Sequence, residues 1–219
     1  MEMFRGLIGG LIAGVVGAAV WAGITYGTGY EIGWIAWGIG LVCGLGVALG
    51  WRGGGAMAGL LAVVISLVSI CGGKYATVQL IINKEVGTTE TILEAATRTL
   101  DDEVLTSYIA DEVVLEYERA GRALNWPAGA DREVPSEASD YPQDVWAEAA
   151  IRFNRMTPEE HQEFRAGVID EIRQSIEVVR AEAASYGFTE SFGVMDIVFF
   201  LLAVITAFKV GAGGGTAEA

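Results

Sequence analysis

Cysteine and histidine are scarce in this chain of 219 residues, which has two cysteines and one histidine. Cys43 and Cys71 both lie in apolar runs, so the sequence offers neither a disulfide framework nor a thiolate metal site. It also lacks a phosphate-binding loop, a zinc-ligand cluster and a Ser/His/Asp set. We therefore expect no catalytic residue, no cofactor and no metal site, and we interpret the chain as a protein that is not an enzyme.

Positive charge is also scarce, since 14 lysines and arginines face 28 aspartates and glutamates, for a net charge of −14. Phosphate contacts need basic side chains, so the imbalance argues against a nucleic-acid partner. Hydrophobic residues nevertheless make up 52% of the chain. The acids lie between Lys84 and Ser191, apart from Glu2, Glu31, Asp196 and Glu218. A chain that separates apolar from acidic sequence in this way has the composition of a membrane protein with a polar domain.

Four long apolar runs stand outside the acidic segment. They extend from Gly6 to Gly29, from Ile32 to Trp51, from Ala56 to Ile82 and from Phe192 to Ala212. Each reaches the roughly 20 residues that a transmembrane helix needs. The first is longer than the roughly 7–15 residues of a signal-peptide core, which favours a retained helix over a cleaved leader. The third exceeds the bilayer, so we expect its span to end near Cys71–Tyr75 and to continue as a stalk.

The glycines of these runs raise the question of a dinucleotide site, because Gly38 to Gly44 is close to a G-x-G-x-x-G loop. Such a loop follows a strand and opens an amphipathic helix, whereas both flanks here are continuously apolar. Glycines four residues apart instead place small residues on one helix face, where two helices can approach closely in lipid. The predicted helix-packing glycines are Gly10, Gly14, Gly40, Gly44, Gly46, Gly50, Gly55 and Gly59.

Three charged residues lie within or at the edges of the apolar runs: Glu31, Lys74 and Asp196. Charged groups at membrane depth are costly and are usually paired or functional. We expect a structural ion pair, either Glu31–Lys74 or Asp196–Lys74. A proton or ion role for these residues is the less favoured alternative.

The acidic segment has no alternating strand pattern and predicts a small helical bundle. One helix is expected to start at Thr99 as N-cap and to stop at Gly121. A second starts at Thr157, with Pro158 in first position and Glu160 as the capping-box acid. Residues 125–140 are expected to form a turn-rich linker, with Pro142 in the first turn of the next helix.

Two further features of the acidic segment have both a structural and a functional interpretation. His161, with its acidic neighbours, is expected to lie in a solvated first helical turn and not in a metal or acid–base site. Trp126 and Trp146 are expected to fill the domain core, and a partner-binding hot spot is the alternative.

The predicted fold is therefore all-α and integral to a membrane, with four transmembrane helices. The predicted domains are residues 1–83, with three glycine-rich helices and a stalk, residues 84–191, the acidic helical domain, and residues 192–219, the fourth helix and a glycine-rich tail. Arg5, Arg52 and Lys209 fall on one side of such a topology. The positive-inside rule then places both termini in the cytoplasm and the acidic domain outside.

The segments "GYEIGWIAWGIG", "NWPAG", "YPQDVW", "MTPEE" and "TAFKVG" resemble those of uncharacterised bacterial multi-pass membrane proteins. The resemblance covers most of the chain and implies a bacterial cytoplasmic membrane, without implying any activity, cofactor or catalytic residue.

Two functions are compatible with these features. The leading hypothesis is a non-catalytic membrane subunit whose glycine faces assemble with itself or with a larger complex, while the acidic domain offers a docking surface. The alternative is a small oligomeric channel or transporter component that uses Glu31. The expected partners are the lipid bilayer and either further copies of the chain or the subunits of a membrane complex.

Overall fold

A computed structural model describes residues 1–30, 32–132, 135 and 137–213. Within these residues the fold is all-helical and contains no strand, which confirms the predicted class. A single 3₁₀ turn covers Ala138–Asp140. The α-helices are α1 (Glu2–Thr28), α2 (Trp34–Gly50), α3 (Ala56–Glu85), α4 (Thr89–Arg98), α5 (Asp102–Arg119), α6 (Gln143–Arg155), α7 (Pro158–Glu190) and α8 (Val194–Gly211).

Among the described residues, three helical stretches are long and apolar enough to cross a membrane. They are Glu2–Thr28, a stretch within Ala56–Arg98, and Val194–Gly211. Helix α2 is equally apolar but has only 17 residues. Helix α3 continues without a break past Cys71–Tyr75 to Glu85, so the segment expected to form a stalk is helical.

The chain divides into two compact units, Met1–Val86 with Arg180–Ala219, and Gly87–Val179. The second boundary differs from the sequence-based one, since residues 180–191 belong to the first unit. The first unit contains the four apolar helices and the end of α7. Its core is made of small and aliphatic side chains around one tryptophan: Trp21, Ala36, Ile39, Cys43, Val47, Ala58, Ala62, Ile65, Ile70, Ala203 and Ala207.

The second unit is a small helical domain built around Tyr141, which is 2% exposed. Leu105, Ile109, Val113 and Val145 are among the buried side chains that surround it. Trp146 is partly buried at the edge of this core, and the ring of Trp126 lies 6.3 Å from that of Tyr141. The tryptophans therefore border the core and the tyrosine occupies its centre.

The helix starts in this unit follow local capping chemistry. Thr157 and Glu160 form the predicted reciprocal pair, in which each backbone N–H donates to the other side chain. The predicted N-cap of α5 is wrong by two residues, because Asp101 accepts the bond from the N–H of Val104 while Thr99 ends α4. Aspartate and threonine are both good N-caps, so residue type alone could not show which of Thr99 and Asp101 begins α5.

Candidate functional site: glycine seams and a buried ion pair

Helices α1 and α2 meet along a seam of glycines. A side-chain carbon added at Gly46 would collide with the backbone of Gly9, and one added at Gly50 would collide with the backbone of Arg5 and Gly6. This approach is closer than any residue with a Cβ atom allows. The seam therefore depends on glycine at these positions.

The other predicted glycines pack against helices α3 and α8 of the same chain. Gly10 and Gly14 face the side chain of Ile65 on α3, and Gly59 faces Phe208 on α8. On the opposite side of α2, Gly40 lies against the backbone of Ala203, and Gly44 lies near Val210. These contacts are all intramolecular, so the glycine faces serve first to fold one copy of the chain.

Gly55 departs from the predicted pattern. Among the described residues, no atom lies within 4 Å of where its Cβ would be, and its φ of +86° falls in the left-handed region. Its N–H donates to the carbonyl of Ala212 at 3.0 Å. Gly55 therefore makes a turn before α3, and the packing role expected of it is wrong.

Lys74 lies at the convergence of α1, α3, α8 and the end of α7. Its side chain is 0% exposed, and its Nζ lies 3.2 Å from Oδ2 of Asp196. The same ammonium donates to the carbonyl of Ser191 at 2.6 Å. It also lies 5.6 Å from the ring centre of Trp21 and 5.1 Å from that of Phe192, which are cation–π distances. Of the two pairings left open by the sequence, the Asp196–Lys74 pair is present, while the other involves Glu31, which the described residues do not include.

Asp196 has a second structural task at the start of α8. Its Oδ2 accepts a hydrogen bond from the backbone N–H of Gly193 at 2.7 Å. This bond satisfies a donor that the first turn of a helix leaves free, and it places a negative charge at the positive end of the helix. One carboxylate therefore caps α8 and neutralises a buried ammonium.

A cavity of about 290 Å³ opens beside this ion pair. Its walls include Trp21, Ser191, Asp196 and Phe199. The indole N–H of Trp21 and the hydroxyl of Thr25, one turn further along α1, are buried without a hydrogen-bond partner among the described residues. Ser66 on α3 has a hydroxyl in the same condition. The apolar unit therefore contains three buried polar atoms without a hydrogen-bond partner among its described residues.

Two candidate residues from the sequence remain, Glu31 and His161. Glu31, the residue named for an ion role, lies outside the described residues. His161 belongs to the other unit, where its Nε2 lies 2.8 Å from the carbonyl of Phe153 and its ring lies 4.3 Å from the Phe153 ring. The expectation of a solvated histidine is therefore wrong, because the ring is half-buried and bonded.

The described residues of this site neutralise a buried charge. A buried ammonium is costly unless a carboxylate and further acceptors surround it, as Asp196 and Ser191 do here. Within the described part of the chain, no group of three or more His, Cys, Asp or Glu side chains could hold a metal ion. The sequence did not indicate that Ser191 and Trp21 contact Lys74. Any residue can offer a main-chain carbonyl, and Trp21 is far from Lys74 in sequence, so no local pattern points to either contact.

Comparison of the chain with known protein families, curated proteins and solved structures finds no match.

Proposed function

We propose that the chain is a non-catalytic membrane subunit, in which four apolar helices anchor an acidic docking domain. Helices α1, α2, α3 and α8 are its spans, and the unit Gly87–Val179 is inserted between the third and the fourth. At 1.5 Å per residue the 17 residues of α2 reach about 25 Å, slightly less than the bilayer core of about 30 Å. Local thinning of the bilayer and interfacial Trp34 and Trp51 near its ends accommodate the difference.

The outward faces of these helices support insertion in lipid. On α1, Leu11, Ile12, Val15 and Val16 are all exposed. On α8 the exposed aliphatic residues include Val198, Leu201 and Ile205. A continuous apolar surface of this kind is unfavourable in water and is typical of a lipid-facing bundle.

One observation favours a docking subunit over a channel. The interior between the four helices is filled by glycine-to-backbone contacts and by buried apolar side chains, among them Ile39, Val47, Ala62 and Ile70. Among the described residues, the packed interior of a single copy shows no continuous polar path across the bundle. The predicted packing glycines other than Gly55 already contact other helices of the same chain, so we assign partner binding to the acidic unit and not to these glycine faces.

The test is native mass spectrometry of the tagged full-length chain, extracted gently from its own membrane. We expect a foreign subunit in fixed stoichiometry at low salt. Because the docking unit is acidic, we expect that subunit to dissociate as the ionic strength rises from about 0.05 to 0.5 M, while the chain itself stays folded. Recovery of the chain alone, or only as a closed homo-oligomer at low salt, would contradict the proposal.

The cavity beside Lys74 and Asp196 favours one second candidate, an oligomeric channel or transporter component. The buried polar atoms of Trp21, Thr25 and Ser66 could accompany a hydrated path from that cavity. This alternative predicts ion flux in liposomes that Asp196→Asn and Glu31→Gln both abolish. The docking proposal predicts no flux above that of empty liposomes.

A further inference from the structure

A groove of about 380 Å³ lies between α5 and α7 within the second unit. Tyr108 and Leu115 on α5, with Phe164 and Val168 on α7, form its apolar walls. Three carboxylates, from Asp111, Glu112 and Glu171, also line it. The groove belongs entirely to the segment Gly87–Val179 and is separate from the ion pair of the apolar helices.

The two helices contribute to the groove with the same spacing. On α5 the lining positions are 108, 111, 112 and 115, and on α7 they are 164, 167, 168 and 171. Both sets follow the i, i+3, i+4, i+7 pattern of one helix face. Each face extends over about two turns, or roughly 10 Å, which is the length that a short helical segment lays into a groove.

Gly167 leaves the floor of the groove open. No described atom lies within 4 Å of where its Cβ would be, although it sits in the middle of α7. Glycine at such a position makes a helix less stable than alanine does. A larger residue at position 167 would therefore fit and would stabilise the helix, yet the sequence has glycine there.

The carboxylates of the groove lack a cationic partner among the residues that the structure describes. Within the described residues, neither Asp111, Glu112 nor Glu171 forms an ion pair, and no basic side chain lines the groove. Asp111 is held in place by Tyr141, whose hydroxyl donates to its Oδ1 at 2.7 Å. Partial desolvation, together with the charge of Glu171, raises the pKa of Asp111, although the bond from Tyr141 opposes the shift. A cation that approaches Asp111 would stabilise its anionic form.

We propose that this groove binds an amphipathic helix of a partner protein, with apolar side chains on the floor and lysine or arginine beside Asp111, Glu112 and Glu171. The inference rests on the proposed docking function and names the chemistry of its partner. Charge complementarity indicates which segment would bind. An apolar groove rimmed by carboxylates without an ion-pair partner favours an apolar segment flanked by cations.

Two other occupants fit less well. A second copy of the chain would bring its own acidic unit to an acidic groove, and the like charges would repel. The surface of an anionic membrane is repelled for the same reason. The remaining fit is a foreign, basic helix.

The experiment uses the full-length chain in nanodiscs of phosphatidylcholine, which carries no net charge. The probe is a fluorescent helical peptide of about 18 residues with leucines on one face and flanking lysines, and anisotropy measures its binding. Empty nanodiscs correct for lipid binding, and a peptide with glutamate in place of lysine is the charge control.

Three variants locate the binding. Asp111→Asn with Glu171→Gln should weaken binding at least about tenfold. Glu118→Gln with Glu177→Gln removes the same charge from exposed positions outside the groove and should change binding much less. Gly167→Leu should abolish binding by filling the floor, with the helical circular dichroism unchanged.

The proposal is overturned if the lysine peptide does not bind, if both charge pairs weaken binding equally, or if Gly167→Leu binds like the unmodified chain. These outcomes differ from a failure of the docking function itself. A native foreign subunit that stays bound to the groove variants leaves the docking function standing and removes the groove. Specific peptide binding without any native foreign subunit would support the groove as a binding site and contradict the docking function.

Discussion

At the scale of single residues, the two partners of the buried ion pair are not equivalent. Lys74 has no exposure to solvent, whereas 14% of the Asp196 side chain is exposed. Asp196 also keeps the N–H of Gly193 as a partner when the lysine is removed. Loss of the aspartate takes a carboxylate away from a fully buried ammonium, whereas loss of the lysine affects a carboxylate that is partly exposed and still hydrogen-bonded, so we expect the first loss to cost more.

We therefore predict that Asp196→Asn destabilises the protein by about 3 kcal/mol and that Lys74→Met costs less, because methionine fills the apolar space of the lysine stem. The double variant should lose less than the sum of the two single losses, as expected for groups in direct contact. Unfolding of the four proteins in mixed micelles, by titration with denaturing detergent, measures the three differences. Strictly additive losses would mean that the pair contributes no coupling.

The sequence identified the charged residues of this site but not their arrangement. Lys74 and Asp196 stood out because charge is rare in apolar runs. Their pairing depends on how α3 and α8 pack, which no local pattern records. The prediction for His161 was wrong for the same reason, because its partner Phe153 lies in the preceding helix, α6.

At the scale of elements, the glycines differ in what a methyl group would meet. At Gly46 it would collide with the backbone of Gly9, so α1 and α2 would have to separate. At Gly38, on the same helix, no described atom lies within 4 Å of the added carbon. Gly38 and Gly46 are glycines of the same apolar helix, so Gly38 is a matched control for a substitution at Gly46.

Gly46→Ala should destabilise the apolar helices by about 1–3 kcal/mol, the usual cost of overpacking. Gly38→Ala should be neutral or stabilising by about 0.5–1 kcal/mol, because alanine is the better helix former. Detergent-titration unfolding of both variants against the unmodified chain measures the difference. Equal effects at the two sites would show that the seam between α1 and α2 does not require glycine.

Helices were easier to predict than their ends and their faces. The apolar runs and the Thr157 cap specify their elements locally, through hydrophobicity and hydrogen bonding. Four-residue spacing correctly placed Gly40 and Gly46 at close contacts but also included Gly55, which serves a turn. The groove of the second unit was not predicted, because its i, i+3, i+4, i+7 faces become a site only when α5 and α7 are neighbours.

At the scale of the whole molecule, charge is divided between the two ends of each proposed span. Arg5, Arg52 and Lys209 lie toward one side of the four-span topology, and the acidic unit is connected to the other side. The positive-inside rule assigns the basic side to the cytoplasm. On this rule we expect the acidic groove to lie outside the cytoplasm.

Single-cysteine labelling tests this orientation in intact cells, on a chain whose Cys43 and Cys71 have been replaced by alanine. Ser175→Cys reports the acidic unit, and Gly53→Cys reports the turn between α2 and α3; both positions are exposed. We expect a membrane-impermeant maleimide to label Cys at 175 in intact cells and to label Cys at 53 only after the membrane is opened. The alanine background alone, labelled under both conditions, controls for other thiols. The reverse pattern would place the acidic unit in the cytoplasm, where only a cytoplasmic partner could reach the groove.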